Sequence, residues 1–144
     1  MGLLLRLLVA AGLAADAIVH WRFAPEMAFV QGGSIDGELL FRVQAAVAGV
    51  VAVVILTYAT RWAYALAFLV AGSAVGAIVF YYYVDAGAIG PLPAMYEPVW
   101  YTEKTISLVG EGVATLAALA GFVTASRAKR EDEDARAPEP ATRL

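Results

Sequence analysis

Residues 39–58 read LLFRVQAAVAGVVAVVILTY, and how this stretch is read decides the fold. The β-branched run Val50-Val51-Ala52-Val53-Val54-Ile55 favours a strand in water. Yet 20 largely apolar residues, without two-residue alternation, exceed an ordinary strand. At ~1.5 Å rise per residue they match the ~30 Å hydrocarbon core of a bilayer as one helix. Within lipid every backbone N–H and C=O must be satisfied inside the segment, so the helix is expected to override the local preference.

Three further stretches follow the same pattern, from about Leu3 to Trp21, Trp62 to Val84 and Thr102 to Thr124. The whole chain agrees. Its 144 residues are 61% hydrophobic and only 16% charged, against roughly 45–50% and about 25% in soluble domains. Mean hydropathy is +0.70. A soluble domain this small could not bury so much apolar surface. A soluble enzyme and a disordered tail protein are therefore excluded, and net charge -3 also excludes a nucleic-acid binder. With no cysteine there is no disulfide, thiolate metal site or cysteine nucleophile. The expected fold is all-α: a membrane four-helix bundle, up-down-up-down, over residues 1–126. The segment 127–144, five basic and five acidic residues with almost no large apolar ones, is expected to be a disordered tail.

Spans two and three are joined only by Ala59, Thr60 and Arg61, which makes them antiparallel neighbours. The other two connections are longer and carry Gly32-Gly33-Ser34 and Gly90-Pro91-Leu92-Pro93. Pro98 is placed for the first turn of the fourth helix. Seven of the ten Lys and Arg (Arg6, Arg61, Arg127, Lys129, Arg130, Arg136, Arg143) fall on one side, and Arg22, Arg42 and Lys104 on the other. That bias predicts both termini in the cytoplasm of a bacterium, with the chain in its inner (plasma) membrane. Aromatic residues at the span ends suit two interfacial belts. A cleaved signal peptide with Ala15-Asp16-Ala17 as processing site is the rival reading of the N-terminus. Its thin basic leader and central acidic residue argue against it.

Membrane helices associate through close backbone approach, which small residues permit. Gly49, the Gly72/Gly76 pair (a GxxxG match) and Gly110 are the candidate packing positions. Gly72/Gly76 reads either as a dimerisation face or, preferably, as a seam inside one bundle.

Ionisable residues inside a span cost at least ~2.5–3.5 kcal/mol each and need a partner or a purpose. Asp16 and His20 lie four apart on one helix face, as do Glu38 and Arg42, with Gln44 half a turn deeper. On the fourth helix Glu103, Lys104, Ser107 and Glu111 share a side. In the orientation above all belong to the outer leaflet, while the inner halves are nearly pure Ala, Val, Leu and Gly apart from Arg6. The expectation is a polar cup walled by Asp16, His20, Arg42, Gln44, Glu103, Lys104, Ser107 and Glu111. Plainer readings stand beside it: His20-Trp21-Arg22 as an interfacial anchor, Glu38–Arg42 as a rim salt bridge, Tyr81-Tyr82-Tyr83 as an aromatic belt.

His20, Asp16 and Glu111 are candidate ligands for Zn²⁺, Mn²⁺ or Fe²⁺, although no HExxH or paired-histidine spacing is present. A carboxyl balanced between burial and Lys104 suits proton exchange. No Ser-His-Asp constellation or phosphate-binding glycine loop is legible. Three functions remain: an accessory or binding component whose cup takes a cation, a quinone-like head group or a partner's loop; a dimeric proton- or cation-coupled transporter; or a structural subunit of a larger membrane complex.

The chain resembles small four-helix bacterial membrane proteins of the DoxX-like type. The likeness lies in Leu4-Leu5-Arg6-Leu7-Leu8, then Gly12, then His20 at the end of the first span. It is similar, too, to actinobacterial four-span proteins with a first-span histidine and a fourth-span glutamate, matched here by His20 and Glu111. The layout covers residues 3 to 124. The resemblance implies quinone-linked redox chemistry beside a separate soluble subunit. The long acidic loops and the Asp16/His20 pair depart from the DoxX-like pattern.

Overall fold

A computed structural model describes residues 2–136, and side chains through residue 128. Among the described residues the chain forms four long helices: α1 (Gly2–Phe23), α2 (Gly37–Thr57), α3 (Arg61–Tyr83) and α4 (Thr102–Arg136). A 3-10 turn (Ala24–Phe29) follows α1 directly. All four helices are long and apolar enough to cross a membrane, including α2 with its β-branched run. The protein is thus an all-helical bundle with the makings of a multi-pass membrane protein.

Helix starts are set by local chemistry. Asp36 caps α2, its carboxylate accepting from the Leu39 N–H at 2.8 Å. Thr60 does the same for α3, accepting from Ala63 N at 3.3 Å. Each side chain satisfies one of the backbone donors orphaned at a helix start. At the other end of α2, Arg6 of α1 donates to the free carbonyls of Ile55 and Leu56. An arginine in an otherwise apolar stretch is thereby explained: it closes the C-terminus of the neighbouring helix. The short Tyr58–Thr60 connection marks this end of the bundle, called here the turn end.

Helix α4 runs to Arg136, into the segment 127–144 expected to be a tail. The segment RAKREDEDAR is rich in Ala, Arg, Lys and Glu, good helix formers, and meets no Gly or Pro before Pro138. The rest of the expected tail, 137–144, lies outside the described residues.

Packing is inverted relative to a soluble bundle. Ala48, Ala67, Ala71, Ala114 and Ala118 are fully buried, whereas Val50, Val53, Leu69 and Leu116 are all more than 60% exposed. Small residues inside and large ones outside suit a lipid solvent: lipid tails accept leucine readily, and helices gain by approaching closely. α1 packs broadly against α2 and α4, and α3 against α4, while α2 and α3 touch less.

The closest approach is between α1 and α4. A Cβ added to Gly12 would collide with the Gly110 carbonyl and lie 2.9 Å from Ala114 Cβ. A second tight contact seats the Tyr64 ring on Gly121, where a Cβ would lie 2.6 Å from Cζ. Of the expected packing positions, Gly110 lies at the main seam and Gly72 faces Thr115 of α4. Gly49 reaches only Ala17 at 4.0 Å, and Gly76 meets nothing within 4 Å. The GxxxG pair is therefore half used within the chain; Gly12 and Gly121 carry more of the packing.

At the opposite, loop end the two long connections are laced together. Ile35 N donates to Pro91 O at 3.1 Å, and Ala94 N to Gln31 O at 3.0 Å. Ile89 and Leu92 exchange both backbone hydrogen bonds around Gly90, which takes φ +57° as the first central residue of this tight turn. Gly33 must be glycine because a Cβ there would overlap the Leu92 carbonyl group. The result is a lid fixed across the loop end.

Candidate functional site

Under that lid lies a cavity of about 360 Å³. Its walls come from all four helices and both loops. Phe41 of α2, Ala77 and Ile78 of α3, and Met27, Leu92 and Met95 of the lid make it mostly apolar. Polar groups reach it at two levels. His20, Gln44 and Ser107 lie at its inner end, each in contact with a buried carboxyl group behind the wall. Glu97, Glu103, Lys104 and Tyr101 stand nearer the loops.

The inner group is built on the Gly12–Gly110 seam. One turn beyond Gly12, α1 presents Asp16, then His20 on the same face; next to Gly110, α4 presents Glu111 with Ser107 one turn away. Asp16 and Glu111 are both 0% exposed. Gln44 Nε2 donates to Asp16 Oδ2 at 2.9 Å, and Ser107 Oγ to Glu111 Oε1 at 3.0 Å. The remaining oxygens, Asp16 Oδ1 and Glu111 Oε2, have no hydrogen-bond partner. His20 Nδ1 lies 2.5 Å from Asp16 Oδ1, in a direction that does not complete a hydrogen bond, and 3.1 Å from the Asp16 backbone oxygen. The imidazole also tilts against Phe41, ring centroids 4.7 Å apart. One ligand atom each from Asp16, His20 and Glu111 falls within 4.8 Å of the others.

Lys104, by contrast, is committed to the loop. Its Nζ donates to the carbonyls of Glu97 and Val99, both at 2.9 Å, and lies 3.4 Å from Glu97 Oε2. It also sits over the Tyr101 ring, 5.0 Å from its centroid. Tyr101 O–H donates to the same Glu97 carboxylate at 3.2 Å. Burial, with the negative charge of Glu97 beside it, pushes the Tyr101 phenol up to about 12.

Among the eight expected cup residues, His20, Gln44, Glu103, Lys104 and Ser107 line the cavity, and Asp16 and Glu111 lie immediately behind its inner wall. Arg42 does not line it. Its guanidinium pairs with Glu38 at 2.6 Å and stacks over Trp21 at 5.1 Å, the plainer rim role. The reason is angular: two residues before Gln44 on α2, Arg42 is turned about 200° away from it. Tyr81 lines the cavity, whereas Tyr82 packs edge-on against Trp100 and Tyr83 is 75% exposed.

Sequence reasoning did not find the apolar walls. Phe41, Ala77, Ile78 and the lid methionines carry no charge to flag them, and their convergence depends on how the loops fold back. Gly12 had a legible signal, a glycine one turn before an intramembrane aspartate. No protein-family model, curated protein or solved structure matches the chain, so the site is read on its own geometry.

Proposed function

We propose that the protein is a small membrane binding component whose cup takes an amphipathic molecule with a polar, quinone-like head group. The observation that carries this reading is the cavity itself: apolar walls for a ring or chain, and His20, Gln44 and Ser107 grouped at one end to meet polar atoms. Ligand sites typically combine such walls with few convergent polar groups, at volumes of about 300–1,000 Å³. The DoxX-like likeness points to the same class of head group. In this proposal both termini face the cytoplasm of a bacterial inner membrane and the cup opens to the outer leaflet, which the distribution of Lys and Arg supports. A partner loop, a larger membrane complex or a second copy of the chain would then meet the lid.

The transporter reading has less support. Among the described residues, the buried side chains Val9, Leu13, Ile55, Ala67, Ala114 and Ala118 form an apolar layer below Glu111. A carrier would need a route through that layer.

The test uses purified full-length protein in detergent with a short-chain benzoquinone as probe. Wild type is expected to be stabilised thermally in a saturable manner. Ala77→Leu, which extends a side chain into the cavity, is expected to weaken binding by about 10-fold or more, a few methylenes of steric conflict being enough. Equal stabilisation of both proteins, or of neither, overturns the reading. Proton flux into liposomes that Glu111→Gln abolishes would favour the transporter instead.

A further inference from the structure

From the inner end of the cup we infer that Asp16, His20 and Glu111 bind one divalent transition-metal ion, of the Zn²⁺, Mn²⁺ or Fe²⁺ class, between α1 and α4. The inference rests on reading the cup as a binding site, but names a different occupant for its deepest part.

Three observations meet here. The first is the donor set: one imidazole nitrogen and two carboxylate oxygens, a borderline-to-hard combination suited to these ions. Second, the carboxylates are organised as ligands are. In each, one oxygen is held by a neutral donor, Gln44 for Asp16 and Ser107 for Glu111, while the other is buried without a hydrogen-bond partner; Asp16 Oδ1 faces His20 Nδ1 at 2.5 Å. Outer donors of this kind orient a ligating carboxylate and leave its free oxygen for the metal. The third is convergence, since the three ligand atoms lie within 4.8 Å. Around an ion with bonds of ~2.0–2.2 Å, ligand atoms stand about 3.3 Å apart. Small side-chain rotations would bring the three atoms to that spacing, widening the 2.5 Å contact between His20 Nδ1 and Asp16 Oδ1 and drawing in the longer separations, with the helix backbones pinned at Gly12 and Gly110.

Charge supports the same assignment. Two carboxylates side by side in a dry site repel each other and lose hydration. Among the described residues Lys104 is the lysine or arginine that lines the cavity, and it is engaged with Glu97 and Val99. A divalent ion held between Asp16, His20 and Glu111 would offset that repulsion. Three protein ligands leave further positions open toward the cavity, so the ion would face the molecule bound above it.

The experiment uses untagged full-length protein in detergent, stripped with a chelator and titrated with Co²⁺ or Zn²⁺ alone. Expected are saturable binding of one Co²⁺ with ligand-field absorption bands, and a shift of the imidazole nitrogen resonances with Zn²⁺. His20 is the only histidine in the chain, so that resonance needs no assignment. Glu111→Gln, which keeps the side-chain shape, and His20→Ala should each weaken binding by at least about 100-fold. Gln44→Ala, which removes an outer donor, should cost about 10-fold. Arg42→Ala should bind as wild type does. No saturable Co²⁺ binding by wild type, or an imidazole resonance indifferent to Zn²⁺, overturns the site. Either wild-type result stands even if a variant fails to fold. Because no quinone is present, failure here is separate from failure of the cavity reading.

Discussion

The turn end and the loop end of the bundle are built from the same four helices but handle buried space in opposite ways. Around Tyr64, Gly121 and Ile55 the interior is filled: the phenol ring lies on a glycine, and alanines let the backbones meet. Around His20, Gln44 and Ser107 the helices enclose about 360 Å³ and place three ionisable groups beside it. Without a hydrophobic effect to hold helices together, contact area and interhelical hydrogen bonds do so. A hollow half therefore depends on a solid half. The close α1–α4 contact joins them, since Gly12 and Gly110 both pack the core and bring Asp16 next to Glu111.

That division can be broken from either side. The largest effect is expected from Tyr64→Ala, which empties the turn end: about 3–5 kcal/mol of stability lost, read as a drop in thermal midpoint in detergent. If the loss is below about 1 kcal/mol, the turn end is not the anchor. Next comes Gly12→Val, whose added methyl groups push α1 away from α4. Overpacking costs about 1–3 kcal/mol, and this variant should also lose Co²⁺ binding, which Tyr64→Ala, if still folded, should largely retain. Gln44→Ala removes one interhelical hydrogen bond, typically worth about 0.6 kcal/mol in membranes and at most about 1.7. It sharpens the comparison by altering the site far more than the fold. Arg42→Ala at the rim should cost under about 1 kcal/mol and leave quinone binding unchanged.

A pH measurement isolates the upper cup. The Tyr101 phenol titrates at about 12 in the folded chain, against a usual value of 10.0. The folded state thus holds this proton more tightly than the unfolded state. The corresponding stability is complete below about pH 10 and is lost progressively between 10 and 12. Tyrosinate absorbance should show a late-titrating component missing from Tyr101→Phe; identical curves would mean the Glu97–Tyr101–Lys104 knot is open in solution.

Much of the helical layout was legible because it is a property of segments. Twenty largely apolar residues have few other ways to satisfy their backbone in lipid, so α2 overrides its valine-rich propensity. The spacing of Asp16 and His20, and of Ser107 and Glu111, placed each pair on one face of its own helix without further information. Other features were not legible. Arg42 and Gln44 look like equal candidates at two-residue spacing, yet one faces the rim and the other Asp16. Likewise, the Gly72/Gly76 motif is more conspicuous than Gly12, which makes the tighter contact.

From composition and periodicity alone follow four membrane-length helices, small residues for packing, and ionisable groups gathered toward one end, because hydrophobicity and helical repeat act locally along the chain. The pairing of Asp16 with Gln44, the nearness of Glu111 to His20, and the apolar cavity beneath two laced loops came only from the tertiary structure. Those depend on the rotation and separation of helices about one another. That geometry is set by backbone contacts such as Gly12 on Gly110, where the informative atom is a missing Cβ.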